Sequence, residues 1–248
     1  MRIDKILGLL LVVGFLQACV AVQEGQTQDE KASAINVQLG IGYMQQDKLD
    51  LASEKLTKAL RQDPKSAAVH NAYAILQERL KQMELAEKHY KEATRLDPKD
   101  SQSANNYGAF LCRTGREVES EKYFLRALDN PLYSTPEFAY TNAAICLLKV
   151  AQTDQARKYL EKALTERSDF APALLSMAGL LIDETDYKNA KLYLDRYHLV
   201  ARPGPRSLSY SIRTALEIDS GTDVSELVQR LGTDYPDSEE YQLWKAFE

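Results

Sequence analysis

The chain has 248 residues, of which 44% are hydrophobic and 27% charged, and its formal net charge is −5. This composition is typical of a folded globular protein and excludes a chain that is mostly disordered. A mildly acidic chain without a basic stripe lacks the electrostatic footprint of nucleic-acid-binding proteins, so we expect no nucleic-acid partner. Attachment to an anionic membrane surface by charge alone is excluded for the same reason.

Residues 1–18 predict a targeting segment. Arg2 and Lys5 form a short positive start, and an apolar run follows over residues 6–16. That run is too short to cross the roughly 30 Å hydrocarbon core as a helix, but it has the length of the apolar region of a signal peptide. Ala18 is a small residue at the expected cleavage point.

The four residues Leu16-Gln17-Ala18-Cys19 resemble the lipobox of bacterial lipoproteins. The resemblance implies that Cys19 receives lipid and becomes the first residue of the mature protein. Gln17 departs from the pattern, in which a small residue is usual. The alternative is an ordinary secreted protein in which Cys19 is an incidental thiol. Val20 follows where an Asp would be associated with inner-membrane retention, so the resemblance implies a lipid anchor in the outer membrane, facing the periplasm.

Residues 19–32 are polar and show no periodicity, which predicts a flexible tether. From residue 33 onward, small residues recur at a fixed spacing. Successive members are 34, 34, 36 and 34 residues apart, and they are Ala52, Ala86, Ser120, Ala156 and Ala190. Further alanines follow the first four of these by seven residues, at Ala59, Ala93, Ala127 and Ala163.

A 34-residue period with small residues at fixed offsets resembles the tetratricopeptide repeat, in which each unit is a pair of amphipathic helices. The resemblance implies an all-α fold, a right-handed superhelical solenoid of about six repeats in which stacking supplies the core. The units are 33–66, 67–100, 101–134, 137–170, 171–204 and a degenerate 205–238, with a capping helix over 239–248. The two extra residues near Thr135 and Pro136 predict a longer turn between units three and four.

Residues that could carry catalysis do not converge in the sequence. His70, His89 and His198 are far apart, and none has ligand spacing with a Cys, Asp or Glu. We therefore interpret each histidine as a solvated or helix-packing residue. No phosphate loop or nucleophile motif is present. The sequence predicts a protein that is not an enzyme, with no catalytic residue, no metal, no small-molecule substrate and no cofactor apart from covalent lipid on Cys19.

Cys112 and Cys146 fall on the first helices of neighbouring units and allow two interpretations. They form a disulfide if the protein is exported to an oxidising compartment, or they are buried thiols that act as small apolar residues. The sequence favours thiols, because equivalent positions on stacked helices lie about 10 Å apart whereas a disulfide needs Cα atoms within about 7 Å.

By resemblance to the repeat family, the first helices line a concave groove that binds a partner segment. The positions that the family uses combine apolar residues with amides and about one cation per unit, a mixture that suits a peptide. They are Val37, Ile41, Met44, Asn71, Ile75, Arg79, Gln102, Asn105, Ala109, Arg113, Thr141, Ile145, Leu148 and Lys149.

The segments 105–111 and 138–146, together with the lipobox and six repeats, are similar to the pilotin lipoproteins of type IV pili. The resemblance implies a protein that binds the pilus secretin subunit and promotes its localisation and oligomerisation in the outer membrane, and hence pilus assembly. An alternative is a lipoprotein adaptor for outer-membrane barrel assembly or for peptidoglycan hydrolases, which would share the lipid and the repeats.

Overall fold

The structure is a computed structural model, and it describes residues 27–246. Within this range the chain forms thirteen helices and no strand. Twelve of them form six consecutive pairs, α1–α2, α3–α4, α5–α6, α7–α8, α9–α10 and α11–α12, and α13 follows. Their bounds are Gln28–Gln45, Leu49–Gln62, Ala67–Arg79, Met83–Leu96, Ser101–Arg113, Glu117–Leu128, Pro136–Lys149, Thr153–Glu166, Ala171–Asp183, Tyr187–Val200, Pro205–Ile218, Ser225–Asp234 and Glu239–Lys245.

The prediction of an all-α solenoid of six helix pairs is confirmed. The first helix of each pair packs against its own second helix and against the first helix of the next pair, so the pairs stack in one direction as a right-handed superhelix. The predicted longer turn is also present, because residues 129–135 separate α6 from α7 whereas residues 63–66 separate α2 from α3.

The first helix begins earlier than the predicted tether allows. Thr27 caps α1, since its hydroxyl accepts from the amide of Glu30 and the Glu30 carboxylate accepts from the amide of Thr27. This reciprocal capping box starts the helix at Gln28, so residues 28–32 belong to the solenoid. The remainder of the predicted tether, the signal peptide and Cys19 lie outside the described residues.

Small residues permit the close approach of the two helices within a pair. The recurring alanines and Ser120 are all buried. A Cβ added at Gly40 would lie 2.5 Å from Leu56 Cγ, and one added at Gly108 would lie 2.9 Å from Phe124 Cε1. A large side chain of each second helix therefore lies on a small residue of its first helix, which explains the 34-residue recurrence.

The turn inside each of the first five pairs reverses the chain through one residue with positive φ. These residues repeat with the same spacing as the alanines and are Asp47, Lys81, Gly115, Ala151 and Thr185. Only Gly115 adopts this left-handed conformation without steric cost. The turn geometry is therefore imposed by helix packing rather than by turn residues in four of the five cases.

The C-terminal end of the solenoid is closed by its own small core. Leu208, Ile212 and Leu231 are buried, and Tyr241 and Trp244 of α13 pack against them. The predicted capping helix is thus present over Glu239–Lys245. No helix within residues 27–246 is long and apolar enough to span a membrane.

Candidate partner-binding groove

The groove is formed by the first helices of the six pairs, which lie side by side. The structure divides the fourteen predicted groove residues into two sets. Six have buried side chains and contribute to packing, namely Val37, Met44, Asn71, Asn105, Ala109 and Thr141. Eight reach the surface at least in part, namely Ile41, Ile75, Arg79, Gln102, Arg113, Ile145, Leu148 and Lys149. The family positions therefore include residues at the interface between helices as well as residues open to a partner.

The predicted amides bond to one another across repeats. The Asn106 side chain donates to Asn71 Oδ1 at 3.1 Å, and the Asn142 side chain donates to Asn105 Oδ1 at 3.0 Å. Gln102 in turn donates to Asn106 Oδ1 at 3.1 Å. Asn71 and Asn105 thus stabilise the stack of first helices. The half-buried Asn106 and Asn142, which the sequence analysis missed, are the amides nearer the surface.

The predicted cations occupy equivalent positions at the ends of α3, α5 and α7, and each reaches back to the preceding repeat. Arg79 donates to the Met44 carbonyl and pairs with Asp47 at 2.9 Å. Arg113 binds both carboxylate oxygens of Glu78, at 2.6 and 2.9 Å. Lys149 donates to the Cys112 carbonyl at 3.0 Å. These three residues therefore join repeats one to four.

Removing one of these links is expected to weaken the solenoid slightly. Arg113→Ala should lower the free energy of unfolding by about 1 kcal/mol, because the pair is bidentate and Glu78 is largely covered. Urea denaturation of the purified chain measures the change. Arg95→Ala is the matched control, since Arg95 pairs with Glu92 inside a single helix. A loss no larger for Arg113→Ala than for Arg95→Ala would contradict the role in joining repeats.

The C-terminal half of the groove is the most open part. Here Ile145, Leu148, Leu175 and Tyr210 form an apolar floor in a depression of about 330 Å³, and Lys149, Asp183 and Arg206 lie at its rim. Tyr210 crosses Gly179, whose added Cβ would lie 2.8 Å from the tyrosine oxygen. Burial raises the pKa of Tyr210, which keeps its hydroxyl protonated. The site thus offers apolar surface, one hydroxyl and charges of both signs.

Three of the predicted groove residues, Ile145, Leu148 and Lys149, meet in this depression. Sequence reasoning missed its remaining members. Leu175, Asp183 and Arg206 stand at the family's groove positions in units five and six, so the same offsets applied further along the chain would have found them. Asp183 is equivalent to Arg79, Arg113 and Lys149, and the charge is therefore reversed at the fifth repeat.

Cys112 and Cys146 form a disulfide, with Cα atoms 5.8 Å apart. The preference for two free thiols was therefore wrong. The cysteines are 34 residues apart, whereas units three and four are offset by 36, so the two positions are not equivalent. Cys146 lies half a turn away from the position equivalent to Cys112, and this shift brings the two Cα atoms within bonding range.

His70 and His89 form a buried pair between α3 and α4, although they are distant in sequence. Their Nδ1 atoms lie 2.9 Å apart, and His70 Nε2 lies 3.0 Å from the Pro64 carbonyl oxygen. Burial first, and the neighbouring His70 second, lower the pKa of His89 to about 4. His198 contacts Ser211 Oγ at 3.0 Å. Across residues 27–246, no group of three or more His, Cys, Asp or Glu side chains is arranged to hold a metal ion.

A stacked array of helix pairs with a concave groove defines a tetratricopeptide repeat protein. Models of the tetratricopeptide repeat match residues 37–101, 84–134 and 139–170. The chain belongs to this family.

The similarity extends to particular members. The type IV pilus assembly protein PilF of Pseudomonas aeruginosa is 31% identical over 252 residues, which cover 99% of both chains. The solved structure of Pseudomonas aeruginosa PilF has a TM-score of 0.77 and covers 90% of this chain and 100% of its own. That of PilW, a type IV pilus biogenesis factor, is 29% identical with a TM-score of 0.77 and covers 89% and 100%. The chain belongs to the PilF family of tetratricopeptide repeat proteins.

Proposed function

We propose that this chain is a non-enzymatic outer-membrane lipoprotein that binds the type IV pilus secretin subunit and promotes its localisation and oligomerisation, and hence pilus assembly. The observation that carries the proposal is the similarity to a type IV pilus assembly protein over 99% of both chains. Because the match includes the N-terminal residues, it extends over the lipobox as well as the repeats.

The open C-terminal half of the groove supports a binding role. An extended or helical secretin segment would place apolar side chains on Ile145, Leu175 and Tyr210. Asp183 and Arg206 form no ion pair with another residue in the described part of the chain, so both are available to charges on the partner. Peptide recognition by a groove of this kind combines apolar pockets with a few polar contacts.

Recovery of partners from detergent-solubilised envelopes tests the identity of the cargo. We expect the tagged wild-type chain to retain the secretin, and the Leu175→Glu variant to retain much less, because a charge then lies on the apolar floor. Leu199→Glu is the matched control, since Leu199 is exposed on α10 outside the groove. Recovery of barrel-assembly proteins or peptidoglycan hydrolases without secretin would contradict the proposal and favour the adaptor function.

The lipid anchor has a separate test. Cys19→Ser removes the thiol that would carry the acyl chains, and several chains on one residue are needed for stable anchoring. We expect this variant to leave the outer-membrane fraction and to leave secretin monomers unassembled or mislocalised. Immunoblots of separated inner-membrane, outer-membrane and periplasmic fractions provide the measurement. An unchanged distribution would refute the anchor, whatever the groove binds.

A further inference from the structure

A second concave site lies on the other side of α7 from the groove. It is an apolar cavity of about 110 Å³ between α6, α7 and α8. Ala143, Cys146 and Leu147 line it from α7, while the groove residues Thr141, Ile145 and Leu148 lie on the opposite face of the same helix. A ligand in this cavity would therefore not touch the groove.

The cavity arises from a change of residue size between repeats. Between repeats two and three, Tyr107 and Phe110 fill the equivalent space, and each contacts the ring of Tyr90, with centroids 5.9 and 5.2 Å apart. Repeat four, offset by 36 residues, has Ala143 and Cys146 at these two positions. Native cores rarely leave such a volume unfilled, because an unfilled space loses dispersion contacts.

The mouth of the cavity changes in the opposite sense. Its rim includes Val118, Leu125 and Val150, whose exposed fractions are 91%, 49% and 44%. The equivalent residues one repeat earlier are Glu84, Lys91 and Thr114, all polar. Small residues inside and apolar residues at the rim together favour a socket for an apolar group, since packing of the isolated chain requires neither change.

The charges around the mouth are of one sign. Glu117 and Glu121 line it, and no Lys or Arg does. Neither carboxylate forms an ion pair within the described part of the chain. The Cys112–Cys146 disulfide and the Ser120 Oγ atom, 3.1 Å from Cys146 Sγ, hold the floor in place. The socket is therefore preformed, apolar inside and acidic at its rim.

We propose that this cavity is a second docking site, separate from the groove, that takes one bulky apolar side chain of a basic protein segment. Its volume suits a single Leu, Ile or Met side chain, since apolar cavities of about 150 Å³ hold a benzene molecule. Lys or Arg residues beside the anchor would pair with Glu117 and Glu121. The chain would then hold two partners, or two segments of one partner, at once.

Fluorescence anisotropy with the purified full-length chain tests the proposal. The probe is a labelled peptide in which one Leu is flanked by two Lys on each side, and matched peptides carry Ala in place of the Leu or Glu in place of the Lys. We expect the Leu-Lys peptide to bind saturably and both matched peptides to bind roughly tenfold more weakly or less. Equal binding of the Leu and Ala peptides, or no binding of the Leu-Lys peptide, would overturn the proposal.

Variants locate the binding. Val118→Ser with Leu125→Ser, and separately Glu117→Gln with Glu121→Gln, should each weaken the Leu-Lys peptide roughly tenfold. Leu199→Ser is the control at a residue that is 86% exposed elsewhere, and it should bind as the wild type does. Because the substituted rim residues are largely exposed, these variants should fold, which circular dichroism checks. Methyl NMR shifts at Ile145 and Leu175 instead of Val118 and Leu125 would assign the peptide to the groove. Rim shifts that depend on protein concentration without peptide would assign the face to a second copy. Either result would overturn the proposal.

Discussion

Replacing both Cys112 and Cys146 with alanine is expected to lower the free energy of unfolding by about 3 kcal/mol. The bond joins the first helices of repeats three and four and closes a loop with a sequence separation of 34. A crosslink of this span removes conformational freedom mainly from the unfolded chain. The loss should be measured by urea denaturation at neutral pH, with folding confirmed by circular dichroism.

Reduced wild-type protein is the matched comparison for the disulfide prediction. It keeps both buried sulfur atoms and the contact of Cys146 with Ser120, so it isolates the covalent bond from side-chain packing. Reduction should account for most of the loss, and alanine should add a smaller packing contribution. Equal unfolding midpoints for the oxidised and reduced protein would show that the bond does not stabilise the solenoid.

The sequence predicted the repeats well because their physical requirement is local and periodic. Each first helix needs a small residue where a large residue of its second helix lies, as at Gly40 with Leu56 and at Gly108 with Phe124. Such requirements recur every 34 residues and are visible without a structure. The start of α1 was missed because the capping box at Thr27 lies before the first residue of the repeat pattern.

Features that depend on two helices at once were not predictable in the same way. Asn71 and Asn105 occupy family groove positions, yet they are buried because Asn106 and Asn142 of the next repeats bond to them. The position relative to the helix axis, rather than the offset in the repeat, decides which residues a partner can touch. His70 and His89 meet only because α3 and α4 fold back on each other, and no spacing rule indicates it.

The buried histidine pair should make the solenoid lose stability in acid. The Pro64 carbonyl can only accept, so His70 Nε2 donates to it, and the Nδ1 of neutral His70 must accept from His89 Nδ1. This arrangement satisfies two neutral rings. A proton on His70 Nδ1 would place two donors face to face at 2.9 Å, and a proton on His89 would put a charge where the side chain is only 8% exposed.

The direction of the pH effect follows from the lowered pKa of His89, which is about 4 against an ordinary value of 6.5. Between these values the unfolded chain binds more protons than the folded chain, so stability is highest above pH 6.5 and falls as the pH drops towards 4. Each pKa unit corresponds to about 1.4 kcal/mol, and relaxation of the site reduces the total, so we expect a loss of about 2 kcal/mol.

The variant His89→Gln isolates this effect, because a neutral amide can still donate to His70 Nδ1 but does not titrate. The difference in unfolding free energy between wild type and variant should shrink from pH 7 to pH 4.5, since only the wild type must exclude a proton. Acid-sensitive carboxylates such as Glu87, whose pKa is lowered by its bond to Lys91, are common to both proteins and cancel. His198→Gln is the comparison at a histidine that bonds to Ser211 and has no second imidazole against it. A constant difference across this range would mean that the pair is not a source of acid sensitivity.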